Sequence, residues 1–132
     1  MALAEVAMII AALAAGIVLV AVMVAIYRYG DRVIPGDAMV PVHAGPGGWD
    51  HWRPKKSGLR TWPIGGAVVA VILVGAVFLV QRAGNSGGQH AGTAASAITM
   101  GAFVLVFVIL PLFQYRAIQA ALRRLDAEGT RR

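Results

Sequence analysis

The chain contains no cysteine, which excludes a disulfide scaffold, a thiolate metal site and a cysteine nucleophile. Acidic residues are scarce: 6 Asp and Glu stand against 12 Lys and Arg, for a net charge of +6. Charge of either sign is low at 14%, while 58% of the 132 residues are hydrophobic and the mean hydropathy is +0.71. That is too apolar for a disordered chain or an ordinary soluble domain. The 16 glycines follow no Gly-X-Y period, so a collagen-like chain is excluded as well. The solvent that suits this composition is a lipid bilayer.

A second absence is local. Three long apolar runs, 6–27, 62–81 and 94–115, contain no His, Asp, Glu, Lys or Arg. Ionisable groups within the membrane are the usual mark of ion pathways, proton relays and transport sites, so their absence argues against a transporter or pump acting alone. A haem site needs a histidine at span depth; Met8, Met23 and Met100 read instead as flexible apolar fillers. No cofactor is expected.

What is present are three spans. Residues 6–27 form 22 uncharged positions, enough at about 1.5 Å per residue to cross roughly 30 Å of hydrocarbon. The run at 62–81 starts with Trp62 and Pro63, and a proline is tolerated in a first helical turn. The run at 94–115 is interrupted only by Pro111, where one backbone hydrogen bond is lost and a kink is expected. Open strands would leave unpaired backbone groups in lipid, and three segments cannot close a barrel, so all three are predicted to be helices. The first run lacks the basic start and the small-residue cleavage site of a signal peptide and is read as a retained span. The fold class is therefore an all-α integral membrane protein, a single membrane domain over 1–132.

Orientation follows from the basic residues. Arg28, Arg32, Arg53, Lys55, Lys56 and Arg60 lie in the loop at 28–61; Arg116, Arg123, Arg124, Arg131 and Arg132 lie in the tail at 116–132. Arg82 alone falls in the loop at 82–93. The positive-inside rule places the loop at 28–61 and the C-terminus in the cytoplasm, with the N-terminus and the loop at 82–93 outside. Tyr27, Tyr29, Trp62 and Tyr115 fall at the predicted cytoplasmic boundary, where amphipathic rings sit well. In the tail, Ile118, Ala121, Leu122 and Leu125 form an i, i+3, i+4, i+7 stripe, predicting a short amphipathic C-terminal helix on the inner leaflet that stops at Gly129. No helix-turn-helix, zinc or RNP-like pattern accompanies the positive charge, so the expected partner is anionic lipid and not nucleic acid. The Ala-, Gly-, Val- and Arg-rich usage is that of a high-GC bacterium, which makes the expected location a bacterial cytoplasmic membrane.

Small residues recur at helical spacing: Ala7, Ala11 and Ala15; Ala12 and Gly16; Gly66 and Ala70; Thr93, Ala97 and Gly101. Such faces let helix backbones approach closely, either against other membrane subunits, in self-association, or simply among the three spans. The short loop at 82–93, with His90, reads as a flexible connector.

The loop at 28–61 is the informative segment. It is rich in Pro and Gly turn signals and carries Trp49 and Trp52, so it is expected to fold against the membrane surface. His43, Asp50 and His51, with Asp37, are the right residue types for a metal or acid/base cluster. A solvated turn explains the same residues without chemistry, with tryptophans anchored among headgroups and Lys55 and Lys56 meeting lipid phosphates. The spacing alone favours the turn, and neither a metal nor a catalytic residue is assigned.

Within this loop, Val40-Pro41-Val42-His43, Gly48 and Asp50-His51-Trp52-Arg53-Pro54-Lys55 stand directly ahead of a span. The stretch resembles the DUF1648 module found in SdpI-type bacterial immunity membrane proteins. The matching positions are Pro41, His43, Gly48, Asp50, Trp52 and Lys55. Ala44 stands where an aromatic is usual, Arg53 replaces a glycine, and Asp50 comes one residue early. The resemblance implies a non-enzymatic role in immunity to a toxin or in sensing one, with His43, Asp50 and Trp52 shaping a recognition loop. The small-residue faces point instead to a non-enzymatic accessory or scaffold subunit packed against a larger membrane complex.

Overall fold

The computed structural model describes residues 3–84 and 89–130, with side chains placed for 3, 5–83 and 97–129. The element order is α1 (Leu3–Val33), β1 (Met39–Gly45), β2 (Gly48–Pro54), α2 (Lys55–Gly84) and α3 (Gln89–Thr130). Three helices are long and apolar enough to cross a membrane, over Glu5–Val33, Lys55–Ala83 and Ala97–Gly129. They form an up-down-up bundle. Ala12 of α1 meets Val77 of α2 and Phe103 of α3 in one layer; Leu19 and Met23 meet Ala70, Trp62 and Phe107 in the next. Large apolar side chains point outward along every helix, among them Ile17, Val71, Ile72 and Leu105, as lipid requires and water would penalise.

Each helix outruns the roughly 30 Å of hydrocarbon. At about 1.5 Å per residue, the 42 residues of α3 extend to about 63 Å. The surplus is gathered at one end, where α1 ends, α2 begins and α3 ends, and it builds a small cap. Ile34, Ala38, Val40, Leu59, Ile118 and Ala121 are buried there together, with Trp52, Leu122 and Leu125 packed around them.

An all-α chain was expected; the cap contains a two-stranded antiparallel sheet. The β-branched Val40 and Val42, with Pro46 and Gly47 between the strands and Gly45 and Gly48 at their ends, supply strand and turn chemistry, and Gly48 takes a positive φ of 107° that glycine adopts without strain. The expected loop at 28–61 is thus largely structured. Helix α1 continues to Val33 and α2 starts at Lys55, ahead of the expected 62. Pro63 consequently sits inside α2 and leaves the Leu59 carbonyl without its helical donor. The early start is held by the cap: the Lys55 backbone N–H donates to the Ala38 carbonyl at 3.1 Å, and Leu59 is buried in the cap core.

The separate amphipathic tail helix also needs correction. Helix α3 runs unbroken through Pro111 to Thr130, past Gly129. Its stripe of Ile118, Ala121, Leu122 and Leu125 is real, but it packs into the cap core and not onto a leaflet. Burial against protein replaces the lipid contact that the isolated stripe suggests. At the other end, α2 reaches Gly84 and α3 begins at Gln89, so the expected connector at 82–93 is mostly helical. Residues 85–88 and the side chains of His90 and Thr93 lie outside the described residues.

Candidate functional site

The hairpin is held at its base and open at its tip. Val40 and Pro41 are fully buried, whereas His43 through Gly48 are mostly exposed. Two ties fasten the base, and a third holds the turn-side end of β2. The Lys55 ammonium donates to the Asp31 carbonyl at 2.7 Å and lies 3.3 Å from the Asp31 carboxylate, so a cation sits at the C-terminal end of α1, where the helix dipole favours it. Arg124 of α3 lies over the Trp52 ring at 4.5 Å, a cation–π contact, and bonds Glu128 at 3.2 Å. Trp49 meets Trp62 of α2 and Phe113 of α3 edge-on, each at 6.2 Å. The tip is thereby laid along the bundle at the level of the aromatic residues, where Tyr29 and Tyr115 also stack at 6.2 Å.

These contacts revise several sequence expectations. Lys55 is engaged by Asp31 of α1, while Lys56 remains exposed. Trp49 and Trp52 pack on side chains of α2 and α3. Of the residues matching the DUF1648 pattern, Pro41, His43, Gly48, Asp50 and Trp52 lie on the hairpin and Lys55 opens α2, so one compact element carries all six.

The hairpin also assembles the polar cluster. His43 and Asp50 are directly opposite one another in the ladder, and His43 Nδ1 lies 2.5 Å from Asp50 Oδ1. Neighbouring residues in a strand point to opposite faces, so His51 would ordinarily turn away from Asp50. It does not, because its φ is +51°. The paired register skips Val42 and His51, His51 Nε2 comes within 4.0 Å of Asp50 Oδ1, and the His43 and His51 rings approach to 5.4 Å. One ligand atom from each of the three lies within 4.8 Å of the others, and among the described residues they form the only such group. Asp37, considered with them from sequence, instead lines a groove of about 340 Å³ between the hairpin base and α3, beside Met39, Arg124 and Leu125. The hairpin has no Ser, Thr or Cys, so the His–Asp pair has no hydroxyl or thiol nucleophile within its own element.

The small-residue faces divide. Ala12 and Ala70 are buried, Gly16 packs on Ala70 and Val74, and Gly66 lies against Met23; these four serve packing of α1 on α2. On α3, Ala97 is exposed, and among the described residues Gly101 has no neighbour within 4 Å of where a side chain would begin. A feature not singled out from sequence is Gln114, fully buried, whose Nε2 donates to the Met23 carbonyl at 2.8 Å. The available signal was an amide inside an otherwise apolar run. The chain matches no family profile, and no curated protein or solved structure is significantly similar to it.

Proposed function

We propose that this chain is a non-enzymatic membrane protein in which three spans present a fastened β-hairpin at the membrane surface as a recognition element, in the manner of an accessory subunit of a larger membrane assembly. The observation that carries this reading is the division of the hairpin: its base is consumed by the cap core, while its tip holds exposed polar groups in set positions. The α3 face at Ala97, which is exposed, and Gly101, which has no neighbour among the described residues, supports the same reading, since small residues suit close helix approach. Purification in mild detergent with mass spectrometry of retained proteins tests it; stoichiometric recovery of a larger membrane assembly is expected, and recovery of the chain alone would count against it.

A second reading, an SdpI-like immunity or toxin-sensing protein, is supported by the gathering of Pro41, His43, Gly48, Asp50, Trp52 and Lys55 on one element. The two readings differ in topology. The charge count places the hairpin in the cytoplasm, whereas toxin recognition requires it outside. The chain has no cysteine, so a single cysteine at Gly47 would be its only thiol, and labelling with an impermeant maleimide in intact cells distinguishes them. Protection supports the accessory reading; labelling supports the immunity reading.

A further inference from the structure

Independently of what the hairpin recognises, we propose that His43, Asp50 and His51 form a binding site for one divalent transition-metal ion of the zinc type. Two imidazoles and one carboxylate are a borderline-soft donor set suited to such an ion, with remaining coordination positions left to solvent or to a partner's side chain. Hard ions such as Mg²⁺ and Ca²⁺ prefer all-oxygen sites.

Two features separate this cluster from a chance gathering of surface residues. His43 and Asp50 are cross-strand partners, so the backbone ladder positions both. His51 reaches the same rim only through its left-handed backbone, a conformation that is uncommon for a residue bearing a side chain and that points to a local function when it occurs. A regular strand would place His51 on the opposite face.

The geometry is close to that of a bound state. Ligand atoms about 2.0–2.2 Å from a tetrahedral ion lie about 3.3 Å apart. The His43–Asp50 separation of 2.5 Å must therefore open, and the His51–Asp50 separation of 4.0 Å must close. Both adjustments are side-chain movements at an exposed rim, with side chains 59%, 49% and 73% exposed. The ion would replace a hydrogen bond that water already competes for, and it would tie β1 to β2 close to the turn.

The test uses the full-length protein in detergent, purified without a polyhistidine tag, stripped with chelator and titrated with Co²⁺ as a visible probe, followed by displacement with Zn²⁺. The expected result is one saturable equivalent that Zn²⁺ displaces. His43→Ala, Asp50→Asn and His51→Ala are each expected to weaken binding at least tenfold, and His90→Ala to leave it unchanged. His51→Gly serves as a second variant, because glycine is at home at this φ and the hairpin keeps its backbone while losing a ligand. Absence of saturable binding overturns the proposal, as does binding that survives the His43→Ala/His51→Ala pair or that depends on His90.

Discussion

The ammonium of Lys55, at the first position of α2, lies 2.7 Å from the main-chain carbonyl of Asp31 in the last turn of α1. Its side chain is 13% exposed while that of Asp31 is 55% exposed, so the carbonyl bond and not the exposed ion pair is the stronger tie. A hydrogen bond from a charged donor contributes roughly 1.5–3 kcal/mol, and an exposed ion pair about 0–1 kcal/mol. Lys55→Met is therefore expected to destabilise the cap by about 1–2 kcal/mol, and Asp31→Asn by less than about 1 kcal/mol. Hydrogen exchange of the hairpin amides in detergent reads both; equal effects would shift the weight to the ion pair.

Gly30 marks a close helix crossing in the cap. A side chain there would begin 2.8 Å from Ile118 Cδ1 and 3.1 Å from Leu59 Cδ2, and both neighbours are buried in the cap core. Overpacking of this kind costs roughly 1–3 kcal/mol. Gly30→Val should lower the thermal unfolding midpoint in detergent, and Gly36→Val, where nothing lies within 4 Å, should not.

Gln114 donates one hydrogen bond to the Met23 carbonyl, yet its Oε1 is buried without a partner among the described residues. Side-chain hydrogen bonds between membrane helices average about 0.6 kcal/mol, and a buried orphan acceptor costs about as much or more. Gln114→Leu is therefore expected to leave stability within about 1 kcal/mol of the parent, as measured by unfolding in detergent. A loss well beyond that would mean that the bond to Met23 outweighs the orphan oxygen.

His51 holds a backbone conformation that costs a side-chain-bearing residue about 1–2 kcal/mol. His51→Gly relieves that cost while adding freedom to the unfolded chain. The expected outcome is a metal-free protein at least as stable as the parent in thermal unfolding, paired with loss of Co²⁺ binding.

Of the most apolar stretch, 22% is buried in α1 and 11% in α3, so α3 is the helix with more surface left for lipid or a partner. Gly101→Leu should change stability by less than about 0.5 kcal/mol, because no described residue lies where the side chain would begin. Under the accessory-subunit reading it should also reduce recovery of partner proteins in the detergent pull-down.

How far each residue could be read in advance follows from what its role depends on. The stripe Ile118, Ala121, Leu122 and Leu125 is visible because helical periodicity is local. That it faces Val40 and Leu59 and not a leaflet depends on chain more than fifty residues away. His43, Asp50 and His51 are recognisable as ligand types, but their meeting depends on strand register and on one positive φ, which no residue-type pattern encodes for histidine. The division of the small residues, Gly66 against Met23 but Gly101 against no described residue, likewise needs the rotation of each helix about its axis.

By itself, the sequence determined the solvent and the spans. Long uncharged runs have only one way to satisfy their backbone in hydrocarbon, and aromatic and basic residues at their ends mark a boundary. The tertiary structure alone decided that the helices run past that boundary and close over a hairpin. Continuing α1 to Val33, starting α2 at Lys55 and carrying α3 through Pro111 each sets weak local preference or a lost hydrogen bond against burial of Ile34, Leu59 and Ile118 in a shared core. That burial exists only once all three helix ends and the hairpin have come together.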